Sequence, residues 1–135
     1  MKLIFSYADG GKHPVLGQVF HKRQEVHGDG DVSRYQRYIA NALSAVAQDV
    51  GDCDRILMYI EAIENEEETK IVVEGNDLDL TLNRTGVQVD IHVNDDWVDQ
   101  PEGNFKLSEW KAAIIGWRQF LEMPESGESI VEMEL

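Results

Sequence analysis

Carboxylates at alternate positions are the first residues in this chain whose spacing could do chemistry. In DLDLTLNRTGVQVDIHV, residues 77–93, Asp77 and Asp79 alternate with Leu78, Leu80 and Leu82. Beyond the turn, Asp90 and His92 alternate with Val87, Val89, Ile91 and Val93. Strict alternation sends the two sets to opposite sides of a β-ribbon, so the aspartates share the side away from the core. Asp95, Asp96 and Asp99 follow at once with Trp97 among them, and Glu61, Glu64, Glu66, Glu67 and Glu68 crowd a separate run. Such groups serve acid–base catalysis, cation binding, or the docking of a basic partner.

Catalysis has the least support. A general acid needs a carboxyl buried enough to hold its proton, and these lie on outward faces. There is no G-x-S-x-G, no serine in a strand-to-helix elbow and no phosphate-cradling glycine loop. His13, His21, His27 and His92 are not spaced four apart on any predicted helix, and none pairs with a cysteine, so no zinc site is expected. HGDGD, residues 27–31, lacks the remaining oxygens and terminal glutamate of a calcium loop and reads as the approach to a helix. Cys53, the one cysteine, lies between Asp52 and Asp54, whose charges disfavour the thiolate. The chain is therefore read as a non-enzyme with no cofactor and no metal.

Docking has more. With 26 acidic against 12 basic residues the formal charge is −14, a field that repels nucleic acid and anionic membranes and draws in basic proteins. Solubility alone also accounts for such a charge. Carboxylates facing each other across a sheet, however, repel by some tenths of a kcal/mol per pair, about what intervening lysines would relieve. A cationic partner explains why lysines are missing there. Trp97, ringed by Asp95, Asp96 and Asp99, is either an aromatic anchor for that partner or a loop residue folded back on the core.

The elements that must carry these groups follow from periodicity. Residues 2–8 and 14–20 read as strands around the turn chemistry of ADGGKHP, a first hairpin. Asp31 or Ser33 caps a helix whose stripe is Ile39, Ala42, Leu43, Val46 and Val50, stopped by Gly51. Ile56, Tyr59, Ile60 and Ile63 suit a second helix, although residues 54–66 remain open between helix and strand. As a helix, its carboxylates at 64–68 sit at the unfavourable end of the dipole, which predicts fraying. Residues 70–74 form a strand, Gly75-Asn76 a turn, and the ribbon two more strands before a polar loop over 94–104. Ser108 is the expected N-cap of a last helix bearing Trp110, Ala113, Ile114, Trp117, Phe120 and Leu121 and closed by Pro124. Residues 126–135 are a mobile tail or an extra edge strand. The order β-β-α-α-β-β-β-α predicts one α+β domain over 1–135, an antiparallel sheet of about five strands covered on one face by about three helices.

Residues 74–124, with Gly75-Asn76, Gly86-Val87 and a W-x-x-F-L ending at Trp117–Leu121, resemble small bacterial immunity proteins, most of all those of contact-dependent growth inhibition and related polymorphic toxin systems. The resemblance implies a non-enzymatic inhibitor that binds the C-terminal domain of its cognate toxin, often a nuclease with a basic substrate groove. Carboxylates then stand where substrate phosphates would lie. The expected toxin-binding set is Asp77, Asp79, Asp90, Asp95, Asp96, Trp97, Asp99, Glu61, Glu64 and Glu67. A second class of function is an acidic adaptor for a basic protein or peptide, pairing through the tail strand. A third, a small hydrolase, needs a pocket with a perturbed carboxyl or histidine. The N-terminus is too short in apolar residues for a signal peptide and no run of about 18 apolar residues occurs, so a cytoplasmic location is expected. The oligomeric state stays open.

Overall fold

Alternation at the N-terminus builds a hairpin far longer than its pattern suggests. In the computed structural model, which describes residues 1–135, β1 (Lys2–His13) pairs antiparallel with β2 (Gly17–His27). Leu3, Phe5 and Tyr7 face the core, yet both strands run on past it. The turn is Pro14-Val15-Leu16, not the 8–14 segment. Gly10 and Gly11 sit within β1 at a register shift between Asp9 and Lys12, where Gly11 takes φ +83°. Glycine there makes a bulge rather than a turn.

Helix α1 (Val32–Tyr35) passes through a π-helical turn (Gln36–Ala40) into α2 (Asn41–Val46). Asp31 caps α1, accepting from the Arg34 amide at 3.2 Å. The chain breaks at Ala47–Asp49, before Gly51, because Asp49 accepts from the Asp52 amide at 2.8 Å and starts α3 (Val50–Glu64) there. Gly51 is α3's second residue, and the 54–66 ambiguity resolves to helix.

Strands β3 (Lys70–Glu74), β4 (Leu78–Asn83) and β5 (Gly86–Ile91) form the expected meander, extended by a two-residue β6 (Asn104–Phe105). Helix α4 (Leu107–Leu121) begins one residue before Ser108. The Glu109 carboxylate reaches back to the Lys106 amide at 3.1 Å, and Ser108 lies inside the first turn. The tail is ordered as β7 (Ile130–Glu134).

The single sheet expected from the pattern is two antiparallel sheets, ordered β2-β1-β7 and β3-β4-β5-β6. The tail strand pairs with β1, and the helices are shared between the sheets. Trp117 of α4 meets Phe5 of β1 edge-on at 5.0 Å and donates its indole N–H to the Ala47 carbonyl at 2.9 Å. Gly116 lies against Met133 of β7, and a Cβ there would fall 2.2 Å from its sulfur. On the other side, Leu80, Leu82, Val87 and Val89 are buried against the helices. The α+β architecture thus stands, with α3 and α4 forming its middle. No helix is long and apolar enough to cross a membrane.

Candidate partner-binding surface

Register decides what the polar side of the ribbon does. Asp79 stands directly opposite Asp90 on β5 and Glu74 on β3, so three carboxylates lie in one row across the sheet. Two of them have internal work. The Asp90 carboxylate accepts the Asp99 amide at 2.7 Å, and Asp79 meets His92 Nε2 at 2.9 Å. In the next row Gln88 donates to the Gln100 carbonyl at 2.9 Å and accepts from Asn104 at 3.2 Å. These bonds strap the 94–104 loop onto the ribbon's polar side. That side is thus partly a seat for the protein's own loop, and only part of it faces water.

The carboxylates of that loop and of the turn before β4 make no ion pair. Asp95 and Asp96 project from a 3-10 turn (Asp95–Trp97) capped by Asn94, whose side chain accepts the Asp96 amide at 3.0 Å. Asp99 and Asp77 are exposed and hold φ of 55° and 59°, left-handed conformations that aspartate tolerates better than most residues. The Asp77 carbonyl accepts the His92 amide at 2.8 Å, tying its turn to the end of β5. Gly75 is needed beside it: a Cβ would lie 2.7 Å from the Ala45 carbonyl oxygen, where the turn crosses the end of α2.

Trp97 is not a free anchor. It is half-buried at the core's margin, with the Arg37 guanidinium 4.5 Å over its ring. With Val32, Leu78, Ile91 and Val93 it walls an open groove of about 560 Å³ between α1–α2 and the ribbon's end. Arg37 and Asn41, on and just after the π-helical turn, line it, and Asp77 stands on its edge.

Glu61, Glu64 and Glu67 do not join this surface. They belong to the end of α3, at the far end of the ribbon: Arg84, in the β4–β5 turn, pairs with Glu66 at 2.7 Å. Asn83, at that turn, lies four residues beyond Asp79 on β4, about 13 Å along the strand. Glu64 pairs with Lys111 of α4 at 2.9 Å, on the helical side of the sheet. The predicted set therefore divides into an aspartate group around the groove and a glutamate group at the helix end.

That helix end is closed rather than frayed. The Glu66 amide bonds to the Ile63 carbonyl at 3.2 Å and the Glu67 amide to that of Ala62 at 2.9 Å, the paired bonds of a Schellman cap. Glu66 occupies its left-handed position, φ 61°, where glycine is usual.

Titration is disturbed elsewhere. The buried Cys53 thiol is pushed up to about 12, by burial first and then by Asp52 and Asp54, so it is inert as a nucleophile. The Tyr35 hydroxyl, donating to Glu109 at 2.5 Å, is raised chiefly by that bond. No three His, Cys, Asp or Glu side chains are grouped to hold a metal ion.

One feature absent from the sequence reading is the exposed arm at the end of the β1–β2 hairpin, residues 9–18, which carries Asp9 and Lys12. Comparison with family models, with curated proteins and with solved structures returns no match for this chain.

Proposed function

We propose that this chain is an immunity protein. It acts by binding, without catalysis, and neutralises the C-terminal domain of a cognate toxin, a nuclease with a basic active-site groove. In this reading it works in the cytoplasm, where such a toxin must be met before it reaches nucleic acid. The observation that carries the reading is the aspartate group: Asp77, Asp95, Asp96 and Asp99 are exposed and make no ion pair, Asp77 lines the groove, and Asp95 and Asp96 share a turn with Trp97 of its wall. A basic surface with a protruding apolar residue fits this arrangement. The charges speed encounter and the groove supplies the desolvated contact. The resemblance of residues 74–124 to immunity proteins points the same way.

The test begins with a pull-down from the source bacterium, the partner being identified by mass. Asp77→Lys with Asp95→Lys and Asp96→Lys should then slow association on the order of 100-fold at low salt and abolish protection. Asp79 and Asp90 are left untouched because they are used within the chain, on His92 and on the Asp99 amide. Protection unchanged in a folded triple variant would overturn the assigned surface.

An adaptor reading has one observation in its favour. β7 is an edge strand with one side unpaired, open to a partner strand. Deleting residues 126–135 does not test it cleanly, since Val131 is buried and Met133 packs on Gly116. A proline at exposed Glu132 tests it no better, because β1 pairs there. Exchange protection of β7 amides on adding a partner is the discriminating measurement.

A further inference from the structure

We propose that Arg34 and Arg37 are positioning residues: they lock the 94–104 loop in the conformation that docks and leave its carboxylates free for the partner. Every other arginine of the chain, Arg23, Arg55, Arg84 and Arg118, pairs with a carboxylate. Arg34 and Arg37 do not, although they share a hollow of about 290 Å³ with Asp31, Asp96 and Glu102. Arg34 forks across two backbone carbonyls at the end of the loop, Nε donating to Glu102 at 2.8 Å and Nη2 to Asn104 at 2.5 Å. Its guanidinium lies 4.1 Å over the Phe105 ring. Arg37 lies over Trp97, near the loop's start. Two cations thus grip the loop by its backbone and by its aromatic ring, and pair with none of its acids.

The grip has a fixed base. Gln36, the first residue of the π-helical turn, accepts the Val26 amide at 3.0 Å and donates to the Gln24 carbonyl at 2.8 Å, as a neighbouring strand would. Gln24 donates in turn to the Ala40 carbonyl at 3.1 Å. The turn that carries Arg37 is therefore fastened to β2, and α1 with Arg34 leads into it. From the ribbon side, Asp90 and Gln88 hold the middle of the same loop through the Asp99 amide and the Gln100 carbonyl. Asp95, Asp96 and Asp99 are thus set in place before any partner arrives, so binding need not order them. This role rests on the immunity reading, in which the loop meets the toxin.

Arg34→Lys with Arg37→Lys tests it, because lysine keeps both charges but neither forks onto two carbonyls nor lies flat on a ring. Measured on the free protein, hydrogen exchange at the Trp97, Asp99 and Gly103 amides should quicken on the order of 10-fold, with α3 and α4 unchanged. Acrylamide quenching should rise as well, and it reports Trp97, since Trp110 and Trp117 are fully buried. Affinity for the protein captured in the pull-down should fall on the order of 10-fold. The salt dependence of association should stay that of the wild type, because no charge has changed. Across the two single variants and the double one, affinity lost should track exchange gained, as loss of a direct contact with the partner would not. Unchanged loop exchange overturns the clamp, and quickened exchange with unchanged affinity overturns its part in docking. The two readings fail separately: protection undiminished in the aspartate-to-lysine triple variant, with a loop that exchanges normally, sinks the surface, whereas unchanged exchange in the arginine-to-lysine variant sinks the clamp.

Discussion

Replacing Glu66 by glycine should make this protein more stable, a result that bears on why its acids are where they are. Glu66 fills the left-handed position of the α3 cap, φ 61°, where a side chain costs about 1–2 kcal/mol relative to glycine. Glycine returns about 0.4–1 kcal/mol of that through the freer unfolded chain. Its carboxylate also faces the negative end of the helix dipole, an unfavourable contribution of about 0.3–1 kcal/mol. Against this stands the Arg84 pair, whose side chains are 63% and 64% exposed, worth about 0–1 kcal/mol. The net gain for Glu66→Gly is about 0.5–1 kcal/mol, or about 2–5 °C in Tm for a chain of this size. Urea denaturation with an unchanged m-value is the assay. Glu66→Gln, which keeps the backbone strain and removes the charge, should change stability by less than about 0.5 kcal/mol. If glycine destabilises, the Arg84 pair is the reason for the glutamate, and nothing outside the protein need be invoked. If glutamine gains as much as glycine, the strain argument is wrong.

Two further outcomes follow from the strap and from the buried thiol. Asp90→Ala should cost about 1–2 kcal/mol and speed amide exchange at Asp99, whereas Asp90→Asn keeps an acceptor and sheds the repulsion with Asp79, leaving stability nearly unchanged. Cys53, neutral when folded and raised from 9.0 to about 12, keeps its full contribution below pH 9. The unfolded chain then releases this proton first, so stability should fall by about 1.4 kcal/mol per pH unit above 9, until the folded thiol itself titrates near 12. Cys53→Ala should remove that alkaline slope between pH 9 and 10, before Tyr7 and Tyr35, both raised from 10.0, add theirs. Urea midpoints across pH 7–10 measure both variants.

The ribbon and α4 were legible because a single buried face imposes one period over many residues. Leu78, Leu80 and Leu82, and the stripe from Trp110 to Phe120, lie where their spacing put them. The first hairpin was not, because past Ala8 it has no buried face and therefore no alternation to read. Its glycines then looked like a turn. The sheet count failed for a different reason: three helices separate β2 from β3, and no local pattern says which edge a distant strand joins. Gly51 and Ser108 were misplaced by one rule each, since Asp49 and Glu109 supply caps that compete with them.

The site was harder to read than the fold because a carboxylate's type says nothing about its bonding. Asp79 and Asp90 looked like the centre of a docking plate, yet in register they face each other and are used within the chain, on His92 and on the Asp99 amide. Internal use neutralises or anchors an acid and removes it from what a partner can meet. Asp77, Asp95, Asp96 and Asp99 have no such use, and two of them sit at positive φ, where their side chains are thrust outward at some local cost. Asp77 lines the apolar groove of this end and Asp95 and Asp96 share a turn with Trp97 of its wall, so charge and desolvated contact lie side by side there. A ligand that satisfies both must present cations around an apolar projection. A basic toxin surface of the proposed kind has that composition.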